Sequence, residues 1–175
     1  MHTWSAVRAK LENEYLAPSL RGRLQYFCTT YNKSHDREGR AAIRLDGSEI
    51  LKSSYYEKMA AQNREYHRLC NESSSCDNWS KAFDEAINSG EFDQREFYAA
   101  FAEFDNQSLK SDNALVRMFA ILDRRVGKRR LTSLVSAAAK EPDWLKMIYI
   151  IRFEAEDVVT VSPPGEQWPG EDWGQ

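Results

Sequence analysis

Between residues 23 and 46 apolar side chains recur at every second position, whereas from Tyr56 onward they recur every third or fourth. This change of period is the strongest constraint on the fold, because a period-two segment does not settle as a helix, nor a period-3.6 segment as a strand. Leu24, Tyr26 and Cys28 alternate with Arg23, Gln25 and Phe27, and Ala41, Ile43 and Leu45 alternate with Arg40, Arg44 and Asp46. Two antiparallel strands are expected, with residues Asp36 to Gly39 as their turn. Asp46-Gly47 then supplies a two-residue hairpin turn, since Gly accepts positive φ freely and Asp tolerates it better than most residues. Ser48 to Leu51 completes a small meander.

Helices are expected on both sides of it. Trp4, Val7, Leu11 and Tyr15 share one helical face, with Thr3 as N-cap and Pro18 as the stop. A helix near 55–69 runs into the polar stretch NESSS, and Asn78 caps another that carries Trp79, Phe83 and Ile87 and closes at Gly90. Asp93 stands three residues before Glu96, a capping-box start with Phe92 and Phe97 placed as a hydrophobic staple. Phe97, Phe101 and Phe104 continue that face as core. A further helix starts near Ser111 or Asp112, carries Leu115, Phe119 and Leu122, and stops around Gly127; Leu131, Leu134, Val135 and Ala138 mark the next. Pro142 opens the last. Its residues 145–153 fit either a helix or a buried strand, because periodicity does not separate the two in so apolar a run. Val158 to Val161 reads as a short strand.

The expectation is a single α+β domain over residues 1–160, with an irregular Pro/Gly/Trp tail, 161–175, packed on it. A chain of 175 residues that is 42% hydrophobic and 12% aromatic has enough apolar surface to close a core. No apolar run approaches the roughly 20 residues of a membrane span, and the N-terminus carries charges where a signal peptide needs an apolar stretch. Three cysteines make no disulfide framework, so a reducing, cytoplasmic setting is expected.

Net charge is −3 but unevenly spread: residues 1–70 hold twelve Lys/Arg against eight Asp/Glu, and residues 136–175 hold three against eight. A basic front half and an acidic tail fit an anionic partner, or a tail that folds back on the chain itself. Two clusters carry the basic charge. Arg21, Arg23, Arg40 and Arg44 fall before or on the polar parity of the strands, a set of guanidinium groups suited to carboxylate or phosphate. Arg124, Arg125, Lys128, Arg129 and Arg130 crowd around Gly127, able to neutralise several phosphates. Each cluster also has an ordinary explanation: a wet sheet face in the first case, and in the second basic residues offsetting the dipole at a helix C-terminus.

Catalytic and metal signals are weaker. His35 with Asp36, or Asp46 with Glu49, offers acid–base groups, yet both aspartates already fit as turn formers. There is no phosphate loop, nucleophile elbow or zincin helix. His67, Cys70 and Cys76 with His35 or Cys28 would make a zinc set, but lack the paired spacing of structural zinc sites. No catalytic residue, metal or cofactor is assigned.

The segments YLAPSLRGR, HDREGRAAIRLDG and LDRRVGKRR together resemble a family of uncharacterised bacterial proteins, over most of residues 4–152. The resemblance implies a bacterial cytoplasmic origin and carries no activity or site residue with it. The leading functional expectation is a non-enzymatic binding module using the Arg-rich hairpin face toward an anionic or protein partner, without a membrane. The alternatives are nucleic-acid binding through the hairpin and the Arg124–Arg130 segment, and a small metal-dependent hydrolase.

Overall fold

A computed structural model describes residues 3–158 except 32, 34–37, 74, 76 and 105–107. It is an α+β fold, as the change of period requires. Helix α1 (Trp4–Lys10) leads through a π-helical turn (Leu11–Tyr15) and a 3-10 turn (Pro18–Leu20) into strands β1 (Leu24–Thr30), β2 (Gly39–Leu45) and β3 (Ser48–Ser54). Helices α2 (Tyr55–Glu72), α3 (Asn78–Asn88), α4 (Gln94–Glu103), α5 (Ala114–Leu122), α6 (Lys128–Ala138) and α7 (Asp143–Ala155) follow.

The sheet is antiparallel in the order β1-β2-β3, with Leu24 opposite Leu45 and Tyr26 opposite Ile43. Asp46 and Gly47 both have positive φ, 49° and 87°, as the primed hairpin turn demands. β3 runs three residues beyond the expected Leu51, to Ser54, because Ser53 and Ser54 still pair with Ala41 and Arg40. The β1–β2 turn expected at 36–39 lies mostly outside the described residues; Gly39 itself begins β2. A Cβ at Gly39 would lie 2.2 Å from Gln94 Cδ and 2.4 Å from Thr29 O, so this strand end meets α4 with no room for a side chain.

Leu24, Tyr26, Ala41, Ile43 and Leu51 turn their sheet face toward α4, α5 and α7, and the core closes around Phe92, Phe97, Leu115, Phe119, Leu145, Ile148 and Phe153. The Phe97 and Phe119 rings meet edge-on at 5.1 Å, and Tyr26 leans on both. Phe101 and Phe104 are only half-buried at its margin. The ambiguous segment 145–153 is helical: α7 buries Leu145, Ile148, Tyr149, Arg152 and Phe153, a three- and four-residue spacing. Of the expected 158–161 strand only Val158 is described, and it is buried without regular structure.

Several helix ends follow the local chemistry, but Thr3 makes no side-chain cap at α1, and α3 starts at Asn78 itself, after Asp77, so Asn78 is not its cap. Asp93 and Glu96 form a capping box at α4, Asn113 caps α5 by accepting from Leu115 N, and α3 closes on Gly90 at φ 85°. The Gly90 and Glu91 amides donate back to Ile87 and Ala86, a Schellman closure. α1 departs from expectation. It ends at Lys10, and Leu16 N donates to Leu11 O across a π turn. That extra residue sets Leu11 and Leu16 in the core together and lets 15–17 run beside 122–124, with Ala17 N donating to Leu122 O and Arg124 N to Tyr15 O.

Two buried cations tie these parts together. Lys58 of α2 donates to Glu96 at 2.6 Å and lies 3.6 Å from Asp93, all three almost wholly buried. Burial, then the neighbouring Asp93, raises the Glu96 carboxyl above its ordinary range, and the hydrogen bond from Lys58 opposes them. Arg152 of α7, 2% exposed, donates to Ile121 O, Val126 O and Ser19 Oγ and pairs with Glu156. We expect Lys58→Met to destabilise the fold by about 3–5 kcal/mol, since two buried carboxylates lose their counter-charge. Adding Glu96→Leu should recover part of that loss; denaturant titration of the single and double variants checks both.

Candidate anion-binding surface

Both basic clusters are on the surface, but their electrostatic states differ. On the outer sheet face Phe27 is covered by two guanidiniums, with the Arg44 carbon 4.7 Å and the Arg40 carbon 5.7 Å from the ring centroid. Glu49 on β3 holds both: Arg44 Nη2 donates to Oε1 at 3.0 Å, and Arg40 pairs with Oε2. Arg23 makes a two-pronged pair with Asp46, at 3.1 and 2.7 Å, across the mouth of the hairpin turn. Arg21 donates to Asn13 O. The arginines of the hairpin are therefore largely spent on their own neighbours. Sequence parity found the face correctly, but not Glu49, whose place between the two arginines depends on the irregular register at Ile43/Arg44.

The 124–130 segment is arranged otherwise, and here the expected helix boundary is corrected. α5 stops at Leu122, where Asp123 turns extended and bridges to Leu16. Gly127, expected to end that helix, instead is the N-cap of α6. Glycine serves there because its φ is unremarkable and it is a fair N-cap residue. Lys128, Arg129 and Arg130 thus form the first turn of a helix, at the positive end of its dipole, not at a C-terminus where they would be favourable. Gly127 has no side chain to cap the free N–H groups, and the first turn holds no acidic residue.

All four residues from Gly127 to Arg130 are exposed, as is Arg124. Among the described residues neither Arg124, Arg129 nor Arg130 has a carboxylate partner within ion-pair distance, and Lys128 acts on Glu156 only at longer range. Arg125 is engaged: it pairs with buried Asp123 and covers the Tyr15 and Phe104 rings. Arg23 feels the charge of Glu154, and Glu156 that of Lys128, both near the C-terminal end of α7.

The catalytic and metal expectations find little support in the geometry. His35 and Asp36 lie outside the described residues, as does Cys76. Asp46 and Glu49 are committed to arginines. Cys28 is buried, and that burial, with Asp93 nearby, pushes its thiol up to about 12, far from the thiolate a metal or a nucleophile needs. Among the described residues no three His, Cys, Asp or Glu side chains come together to hold a metal ion.

A family model described as the SF0329 protein family matches residues 3–153. The chain belongs to that family. Neither a curated protein nor a solved structure matches it. Among the described residues no helix is long and apolar enough to cross a membrane.

Hydrogen bonds from Arg44 and Arg40 hold the Glu49 carboxyl below its ordinary range, and the Arg23 pair does the same for Asp46. A depressed carboxyl stabilises the fold above its unfolded pKa, and that contribution is lost as pH falls through the folded value. Stability should therefore drop below about pH 4.5. Glu49→Gln should flatten that drop, as read by thermal melts across pH; a profile identical to wild type would remove the sheet-face pair as its cause.

Proposed function

We propose that this family member is a non-enzymatic binding protein that grips nucleic-acid phosphates through Arg124, Lys128, Arg129 and Arg130. One observation carries the reading: three cations occupy the first turn of a helix, where each is disfavoured by roughly 0.3–1 kcal/mol at an exposed site. Charges kept at an unfavourable place, with no carboxylate of the described residues within ion-pair distance, are suited to an external anion. The free amides at the same helix end point the same way. The hairpin arginines, by contrast, already have Asp46 and Glu49, which turns the leading expectation away from the sheet face and toward the segment before and within α6. The net charge of −3 keeps such a contact local and confined to this strip.

The test is fluorescence polarisation with labelled single-stranded RNA and duplex DNA at about 50 and 200 mM salt. Binding should weaken steeply with salt, and Arg129→Ala/Arg130→Ala should weaken it and reduce the log–log salt slope by about 2. An unchanged slope would overturn the assignment. Arg44→Glu serves as the control for the hairpin: loss of binding there with the Arg129/Arg130 variant unaffected would move the contact to the sheet face.

Binding and stability should also move in opposite directions. Arg129→Glu should abolish the interaction yet stabilise the free protein by about 0.5–1 kcal/mol, because an acid replaces a base at a helix N-terminus. Chemical denaturation beside the binding assay reads both effects in one variant.

A further inference from the structure

Between α1 with its π turn and the outer side of α4 runs an apolar groove of about 970 Å³. Tyr15, Tyr98, Phe101 and Phe104 form its walls, and the exposed Ala99 and Ala102 leave its α4 side open. Two of the rings, Phe101 and Phe104, were expected in the core by their helical spacing, yet both remain half-exposed here. Lys10 and Arg95 stand on its rim. The groove continues past Phe104 into a smaller hollow that is lined by Asp123, Arg125 and Val126. Val126 is the residue whose carbonyl Arg152 holds, and Val158 folds back one turn further along, its N–H on Phe153 O. Val158, the last described residue, is thus held at the C-terminal end of α7, whose Arg152 side chain reaches Val126 at the edge of that hollow.

Beyond that point the sequence continues as VTVSPPGEQWPGEDWGQ, seventeen residues with three acidic and no basic side chains. Its two tryptophans each follow an acidic residue closely, Glu166 before Trp168 and Glu171-Asp172 before Trp173. The family match stops at residue 153, so this stretch lies outside what defines the family. We propose that residues 159–175 dock back into this groove, with Trp168 and Trp173 on the tyrosine and phenylalanine walls and the acidic residues beside Lys10 and Arg95. Three arguments fix the occupant. Indole rings against a ring-lined groove bury large apolar area in edge and offset contacts. Acidic residues next to each indole complement the basic rim. The length suffices, since seventeen residues can reach up to roughly 56 Å when fully extended. The proposal does not depend on the nucleic-acid reading, as the groove itself shares no residue with the Arg124–Arg130 strip, and only the adjoining hollow is bordered by Arg125, Val126 and Arg130.

The experiment is fluorine NMR on the full chain labelled with 5-fluorotryptophan, each resonance assigned by a single Trp→Phe change. The expected result is that Trp168 and Trp173 resonate away from the free-indole position with little solvent-isotope shift. Ala102→Glu, at an exposed helical site on the groove, should return both to the free position while Trp79 and Trp144 stay put, which shows that the body remains folded. Tail resonances already at the free-indole position in the unaltered chain would overturn the proposal. So would resonances untouched by Ala102→Glu, which would place the tail elsewhere on the surface. A return to the free position on dilution would assign the groove to the tail of a second copy and overturn docking within one chain.

Discussion

The Arg152 side chain is the point on which the arrangement of this fold turns. A guanidinium at 2% exposure is tolerable only if each of its donors is met, and here they reach the ends of three other segments. Ile121 O belongs to the last turn of α5, where helix carbonyls lack intrahelical partners; Val126 O immediately precedes the start of α6; Ser19 lies in the 3-10 turn after the π segment. One cation thus satisfies a helix end, fixes the approach to the next helix and anchors the N-terminal turn against α7. Glu156 neutralises it, its carboxyl held low first by the Ser19 hydroxyl and then by Arg152. The direction in which Lys128, Arg129 and Arg130 face solvent is a consequence of where that side chain holds Val126.

Lys58 plays a comparable part at the start of α4. It links α2 to the capping box of α4, so a local device for starting a helix also becomes a tertiary contact. Ser53 adds to the junction by donating to Glu91 and accepting from Phe92 N. The sheet is thereby fastened to α4 by polar groups at one end and by Tyr26 and Phe97 at the other.

How much of this was legible beforehand depended on whether the deciding interaction was local. The Asp46-Gly47 turn, the Asp93/Glu96 box and the Gly90 closure are set by neighbours within a few residues, and each was readable. The two basic clusters were readable as clusters. Their electrostatic difference was not, because it depends on Glu49 meeting Arg40 and Arg44 across a bulged register and on Gly127 serving as a helix start. Gly127 deceived because glycine is common at both helix ends, and only the tertiary bridge from Leu16 to Asp123 decides between them. Lys58 left no signal, since its partner lies thirty-eight positions away in an ordinary charged context. Arg152 stands out as a lone cation inside the apolar run IYIIRF, but no clamping role was read from it.

The π turn at Leu11–Tyr15 bears on the evolutionary history and tolerance of the N-terminal segment. Such a turn is an α-helix carrying one inserted residue, with the surplus absorbed locally instead of being passed along the chain. Removing a single residue there would let the helix become regular, but would rotate everything after it by roughly 100° about the helix axis. Leu16 would then leave the core, and the pairing of 15–17 with 122–124 would lose its register. The segment tolerates side-chain exchange far better than any change in its count of residues.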